Sequence, residues 1–194
     1  MLKTALPYYK KGRDHDPVHL KIIIPLAEKI IPGDKLDESI IMPAVIFHDI
    51  GWSLVSIQTK RKFHNKKSRL EHMARGAKLT QKLLKQQSYP NQKIKKIVRL
   101  IAVHDNLSQG VGKKLTTRNE YALAVIDFLW RVTKPGFAKD LKELKAKKQT
   151  PQKLIQELKQ TAKKRRIGRY RTAHKIFKKL LRERQKECHI ALKK

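Results

Sequence analysis

The stretch "AVIFHDIGWS", residues 44–53, decides the reading of the chain, because an apolar run drives there into two adjacent ionisable residues, His48 and Asp49, just before a glycine. The run belongs to "LDESIIMPAVIFHDI", residues 36–50, which is mostly apolar and reads as a buried helix that stops near Gly51. An ionised aspartate at the end of such a helix costs on the order of several kcal/mol unless it is paired or bound to a metal ion. Asp49 therefore needs a partner. Neutral imidazole and carboxylate together suit divalent ions such as Zn, Mn or Fe, so the question is whether more His and Asp stand at the ends of other apolar segments.

They do. Toward the N-terminus, "DHDPVHL" places Asp16 to accept from the orphan amides of a new helix, Pro17 at its first position and His19 in its first turn. That helix runs through Ile22, Ile23, Leu26 and Ile30, and Pro25 inside it predicts a kink or a shortening. Residues 1–16 read as an irregular lead-in, in which His15, four residues before His19, has at most a supporting role. Toward the C-terminus, residues 54–68 read as a basic connection. Next, "RLEHMARGAKLTQKLL" spaces Leu70, Met73, Ala77, Leu79 and Leu83 helically and carries His72. "NQKIKKIVRLIAVHD" does the same with Ile94, Ile97, Leu100 and Ile101, and ends in His104 and Asp105. A capping box of Thr117 and Glu120 opens "YALAVIDFLWRV", which Asp127 interrupts and "KPG" at 134–136 terminates. Thr150 and Pro151 open another helix, and a last one from Arg169 aligns Tyr170, Ala173, Phe177, Leu180 and Cys188 on one side. With no alternating strand pattern and no repeat of fixed period, the chain reads as all-α. Four of the eight histidines, His19, His48, His72 and His104, sit beside apolar helix segments, a placement that a chain so rich in lysine does not favour by chance.

This ordered set of His, His-Asp, His, His and Asp resembles the HD superfamily of metal-dependent phosphohydrolases over residues 13–131, through "HDPVH", "FHDIGW", "EHMARGA", "LIAVHD" and "AVIDFLWR". The resemblance implies an HD-domain helical bundle that holds a metal ion with His19, His48, Asp49 and Asp127. The expected cofactor is a divalent ion (Mn, Fe, Zn, Mg or Ni), one or two per chain. An ion held by two imidazoles and two carboxylates keeps positions open for water and a phosphoryl oxygen, so hydrolysis of a phosphoester is the natural reaction, with Asp49, His72 and His104 in the catalytic centre. For His72 and His104 two roles stay open: ligands to a second ion bridged by Asp49, or contacts to substrate phosphate. Asp105 is a ligand, a general base or simply the residue that ends its helix. Arg131 and Lys60 are cations near enough in sequence to add phosphate contacts, and Trp52 and Trp130 are expected to pack beside the metal helices. The chain departs from several branches of the superfamily. Ser53 replaces the acidic residue of the nucleotide-monophosphate 5′-phosphatases, and both the paired acidic residues of alarmone hydrolases and the Gly-Tyr-Pro loop of cyclic-dinucleotide phosphodiesterases are missing.

Composition sets the remaining bounds. The 194 residues, 40% hydrophobic and 32% charged, suffice for a single core beneath a strongly charged surface. We expect an HD-type metal-binding helical core over 1–135 and a basic helical C-terminal extension over 136–194, packed on or beside it. Lys and Arg number 47 against 16 acids, a formal charge of +31 that concentrates anions near the surface, whether phosphorylated substrates, nucleic acid or anionic lipid. Residues 161–194 alone carry 14 Lys and Arg, densest in "KKRRIGRYR". This stripe supports an alternative, a non-catalytic HD scaffold that binds nucleic acid through its basic surface in a salt-sensitive way. A phosphorylated small molecule, a nucleotide first of all, remains the expected substrate. The longest apolar runs are too short or too interrupted by proline to span a bilayer. The N-terminus lacks the pattern of a secretory signal and the single Cys188 has no intramolecular partner, so a cytoplasmic location is expected.

Overall fold

A computed structural model describes residues 1–62, 65–110, 114–146 and 150–191, which form helices and turns and, among them, no strand. The chain begins with a helix where an irregular lead-in was expected: α1, Leu2–Lys10. Leu2, Ala5, Leu6 and Tyr9 recur at helical spacing, and the burial of Ala5 and Tyr9 against the core supplies the tertiary support that so short a segment lacks alone. The second helix, α2, covers Asp16–Gly33 with His15 at its N-cap. Asp16 does not cap it; its carboxylate turns back to the Arg13 amide, 2.7 Å away. Nor does Pro25 shorten it. Pro25 lies on the exposed side, and the helix runs on past it to Gly33.

Helix α3, Glu38–Phe47, starts at Asp37, whose side chain accepts from the Ser39 amide, and stops one residue before His48. His48 and Asp49 thus occupy the turn between α3 and a 3-10 segment, Ile50–Leu54. The basic connection contains a short helix, α4, Ile57–Arg61, with Phe63 and His64 of that connection outside the described residues. Helix α5, Lys66–Gln86, turns His72, Met73, Gly76, Ala77, Leu83 and Leu84 inward, whereas Leu70, expected on that face, is exposed. Helix α6, Asn91–Ile101, buries all four of its expected apolar residues. A single turn, α7, Asn106–Gln109, leads on to α8, Arg118–Leu129, which opens with the Thr117–Glu120 capping box. "KPG" at 134–136 does not end this segment. A 3-10 turn, Trp130–Val132, has already ended it, and Pro135 lies in the first turn of α9, Lys134–Ala146, where a missing amide does no harm.

Helices α10, Pro151–Lys164, and α11, Arg171–Ala191, close the fold. Their buried residues, among them Leu154, Leu158, Phe177, Leu181 and Cys188, are continuous with the cluster that begins at Ala5. Leu181 takes the core position, and the expected Leu180 is only partly buried against it. The Asp34 carboxylate at the end of α2 accepts from the Thr172 and Ala173 amides at 2.9 and 3.1 Å, which caps the free N–H groups of α11 from across the molecule. Among the described residues no helix is long and apolar enough to cross a membrane.

Candidate metal centre

The ends of four helices and the middle of a fifth converge on Asp49. His48 follows α3, and its Nδ1–H donates to the Val45 carbonyl at 2.9 Å. His104 lies three residues beyond the end of α6, and its Nδ1–H donates to the Ile101 carbonyl at 2.7 Å. Each imidazole satisfies a helix-end carbonyl that would otherwise be an orphan, and each is thereby fixed with Nε2 turned to the interior. His19 comes from the first turns of α2, Asp127 from the last turn of α8, and His72 from the middle of α5.

Gly51 and Gly76 bring the His48–Asp49 turn against α5. A methyl group on Gly51 would collide with the His72 carbonyl and lie 2.6 Å from the Gly76 amide nitrogen. This main-chain contact explains why a glycine follows the dyad and why another stands four residues after His72. The His72 ring lies flat on Trp52, with centroids 4.1 Å apart and planes 11° apart, and the Trp52 indole N–H donates to Asp49 Oδ1 at 3.2 Å. Trp130 meets His19 edge-on at 5.3 Å.

Two lobes share the Asp49 carboxylate. In the first, His19 and His48 Nε2 lie 3.1 Å apart, 3.3 and 3.5 Å from Asp127 Oδ1, and 3.9 and 3.4 Å from Asp49 Oδ2. In the second, His72 and His104 Nε2 lie 3.5 Å apart, 3.4 and 3.6 Å from Asp49 Oδ1, and 3.6 and 3.9 Å from Asp105 Oδ2. Three groups, His19 with His48 and Asp127, His48 with Asp49 and His104, and His72 with His104 and Asp105, have ligand atoms close enough to hold a metal ion. The donor set fits one. With Nδ1–H committed to a carbonyl, a neutral His48 or His104 points a lone pair at carboxylate oxygens, and acceptors that face acceptors in a buried space call for a cation. Burial opposes charge on His48, yet Asp49 and Asp127 outweigh it and raise its pKa well above the ordinary histidine value. Burial likewise opposes ionisation of Asp49, and His48 and Arg13 more than reverse it, holding that carboxyl well below its usual range. Asp127 is also lowered, its burial offset by hydrogen bonds from His19 and His48. His72 behaves otherwise: burial lowers it to about 4 despite the neighbouring carboxylates, so its ring is neutral at pH 7.

Two arginines that the sequence reading passed over donate to carboxylate oxygens of the cluster. Arg13 Nη2 donates to Asp49 Oδ2 at 2.7 Å, its Nε donates to Asp16 Oδ1 at 2.8 Å, and its guanidinium lies 4.3 Å over the Trp52 ring. Arg69 Nη1 donates to Asp105 Oδ2 at 2.5 Å; Asp105 is buried, but Arg69 and His104 hold its pKa near 2. The only marks either arginine carries in the sequence are short spacings, Arg13 three residues before Asp16 and Arg69 three before His72. Asp105 therefore faces the cluster. His15 stays outside, with Nε2 3.8 Å from Asp16 Oδ1. Arg131 is engaged by Asp140, to which its Nε donates at 2.6 Å.

A protein-family model described as HD domain matches residues 19–158 of the chain. No curated protein and no solved structure matches it.

Proposed function

The chain belongs to the HD domain family, and from that membership we propose that it is a metal-dependent phosphohydrolase acting on a small phosphorylated compound, a nucleotide in the first instance. The observation that carries the reading is the shared carboxylate: Asp49 turns Oδ2 to His19 and His48, which also face Asp127, and Oδ1 to His72 and His104. In this reading His19, His48, Asp49 and Asp127 hold one divalent ion, and His72, His104 and Asp105 with the other Asp49 oxygen hold a second. Of the two roles left open for His72 and His104, second-ion ligand has the better support, because both face Asp49 Oδ1 and Asp105 Oδ2 from a fully buried position.

Bound divalent ions supply an acidified water and positive charge for the phosphoryl oxygens. The protein's own residues do the rest. The Val45 and Ile101 carbonyls fix the tautomers of His48 and His104. Neutral His72, clamped on Trp52, offers a lone pair and adds no charge. Arg13 and Arg69 orient Asp49 and Asp105 through charge-assisted hydrogen bonds.

The alternative, nucleic-acid binding through the basic tail, draws on surface charge alone: Arg165 and Arg184 are buried, and the other described lysines and arginines from Lys163 to Lys186 are exposed.

Elemental analysis of purified wild type beside Asp49→Ala and His72→Ala, with turnover on a panel of phosphoesters, tests the proposal. About two equivalents of metal are expected in the wild type, near one in His72→Ala, and loss of both metal and turnover in Asp49→Ala. Full metal occupancy and full turnover in Asp49→Ala would overturn it.

A further inference from the structure

Arg13 belongs both to the metal centre and to a cleft outside it. The cleft, about 430 Å³, is walled by residues 12–15, which join α1 to α2, and by Ile57, Lys60 and Arg61 of α4. Its two walls are tied together where Lys60 Nζ donates to the Lys11 carbonyl at 2.6 Å, a bond that leaves the ammonium charge uncompensated. Among the described residues no ion pair engages Lys60 or Arg61, and the acid lining the cleft is Asp14. The charge of Arg13 is already balanced by Asp16 and Asp49 behind it. His15 adds no charge at pH 7, because burial and the nearby Arg13 and Lys139 cations lower its pKa to about 3. The cleft therefore carries a surplus of positive charge on two donor-rich side chains, separated from the Asp49 carboxylate by one guanidinium.

Arg13 both lines this cleft and touches Asp49, so a phosphate held at the metal centre beside Arg13 would have a group linked to it extending toward Lys60 and Arg61. We propose that this cleft holds the phosphate next to the scissile one, so that the substrate is a compound with two or more linked phosphates, such as a diphosphate or triphosphate ester, and not a simple monoester. The inference rests on the phosphohydrolase reading above. Lys60 and Arg61 act by binding and positioning the substrate, and the reacting centre stays with Asp49.

The test uses the full chain and inorganic probes. Titration calorimetry with inorganic triphosphate, pyrophosphate and phosphate is run on wild type, Lys60→Ala, Arg61→Ala and Lys178→Ala, the last an exposed lysine of α11 far along the sequence from the cleft. Triphosphate is expected to bind the wild type about tenfold tighter than phosphate. Each cleft variant should weaken triphosphate binding about tenfold, the loss of one charge-assisted contact, while Lys178→Ala leaves it unchanged. An equal loss in Lys178→Ala, or none in the cleft variants, overturns the proposal, because the general positive field then accounts for the binding. Melting curves accompany each variant, and Lys60→Gln and Arg61→Gln replace any alanine variant that melts early.

Kinetics on the metal-loaded protein separates this inference from the reading beneath it. Diphosphate and triphosphate esters should show KM raised about tenfold in the cleft variants with kcat little changed, and monoesters should show no such rise. Equal efficiency on monoesters and polyphosphates, unaffected by the variants, overturns the cleft assignment and leaves the hydrolase reading standing. Cleft-dependent triphosphate binding with no turnover of any phosphoester overturns the hydrolase reading, and the substrate assignment with it.

Discussion

At the scale of single residues, the contact between Gly51 and Gly76 makes the sharpest demand. The Gly51→Ala methyl would meet the His72 carbonyl and the Gly76 backbone, and neither can move without shifting α5. We predict a loss of about 1–3 kcal/mol in denaturant unfolding, as for other overpacked cores, together with loss of metal from the His72 lobe. Gly168→Ala, at a glycine whose added methyl would meet nothing within 4 Å, should stay within about 0.5 kcal/mol of wild type. The histidines and Asp127 were legible in the sequence because each sets a polar group against an apolar segment, a conflict that only a buried site resolves. Arg13, Arg69 and Asp16 were not legible in the same way. One arginine among 47 basic residues looks like any other until its burial is known, and burial here comes from the approach of segments 36 residues apart in the chain.

At the scale of elements, helices α5, α6 and α8 could be read directly from apolar spacing and, in α8, from a cap with a defined chemistry. The Thr117 hydroxyl accepts from the Glu120 amide, and the Glu120 carboxylate accepts from the Thr116 and Thr117 amides at 2.6 and 3.2 Å and from Arg99 at 2.7 Å. Burial raises the pKa of this carboxyl, and those three donors more than reverse the effect, leaving it below its ordinary value. The sign follows from linkage: a lowered folded-state pKa stabilises the fold above the unfolded pKa, and the contribution is lost as pH falls through the folded one. Glu120→Gln should therefore cost about 1–2 kcal/mol at pH 7, and its gap from wild type should shrink below about pH 4, as read from chemical unfolding across pH. Helix α1 and the start of α9 escaped the sequence reading for a common reason. Pro7 and Pro135 look like breakers, and whether a proline breaks a helix or merely occupies a position that needs no amide depends on register and packing, which local sequence does not specify.

At the scale of the whole molecule, the basic tail proves to be two kinds of surface at once. Its charge was plain from composition, but its inward face was only partly so. Arg165, in the middle of "KKRRIGRYR", is buried, with Nη1 donating to the Ala124 carbonyl and its guanidinium 5.5 Å over Phe128. The Tyr170 hydroxyl donates to the Arg118 carbonyl at 2.5 Å, and Phe177 packs 5.9 Å from Phe128. All four contacts fall on α8, the helix that carries Asp127. Asp34 holds the tail at its other anchor, so Asp34→Ala should lower stability by about 1–2 kcal/mol, the usual value of a helix N-cap, while Asp34→Asn, whose single amide oxygen replaces only one of the two acceptors, should retain part of it. Thermal melts of the two variants check this. The same packing bears on the order of events during synthesis. A chain emerging N-terminus first has all the histidines and carboxylates of the cluster outside the ribosome once residue 127 is out, yet the back of α8 stays bare until residues 165–177 follow. The nascent protein therefore passes through an interval in which its chemistry is complete in composition and its scaffold is not, and for that interval the apolar side of α8 is a surface for a chaperone to guard.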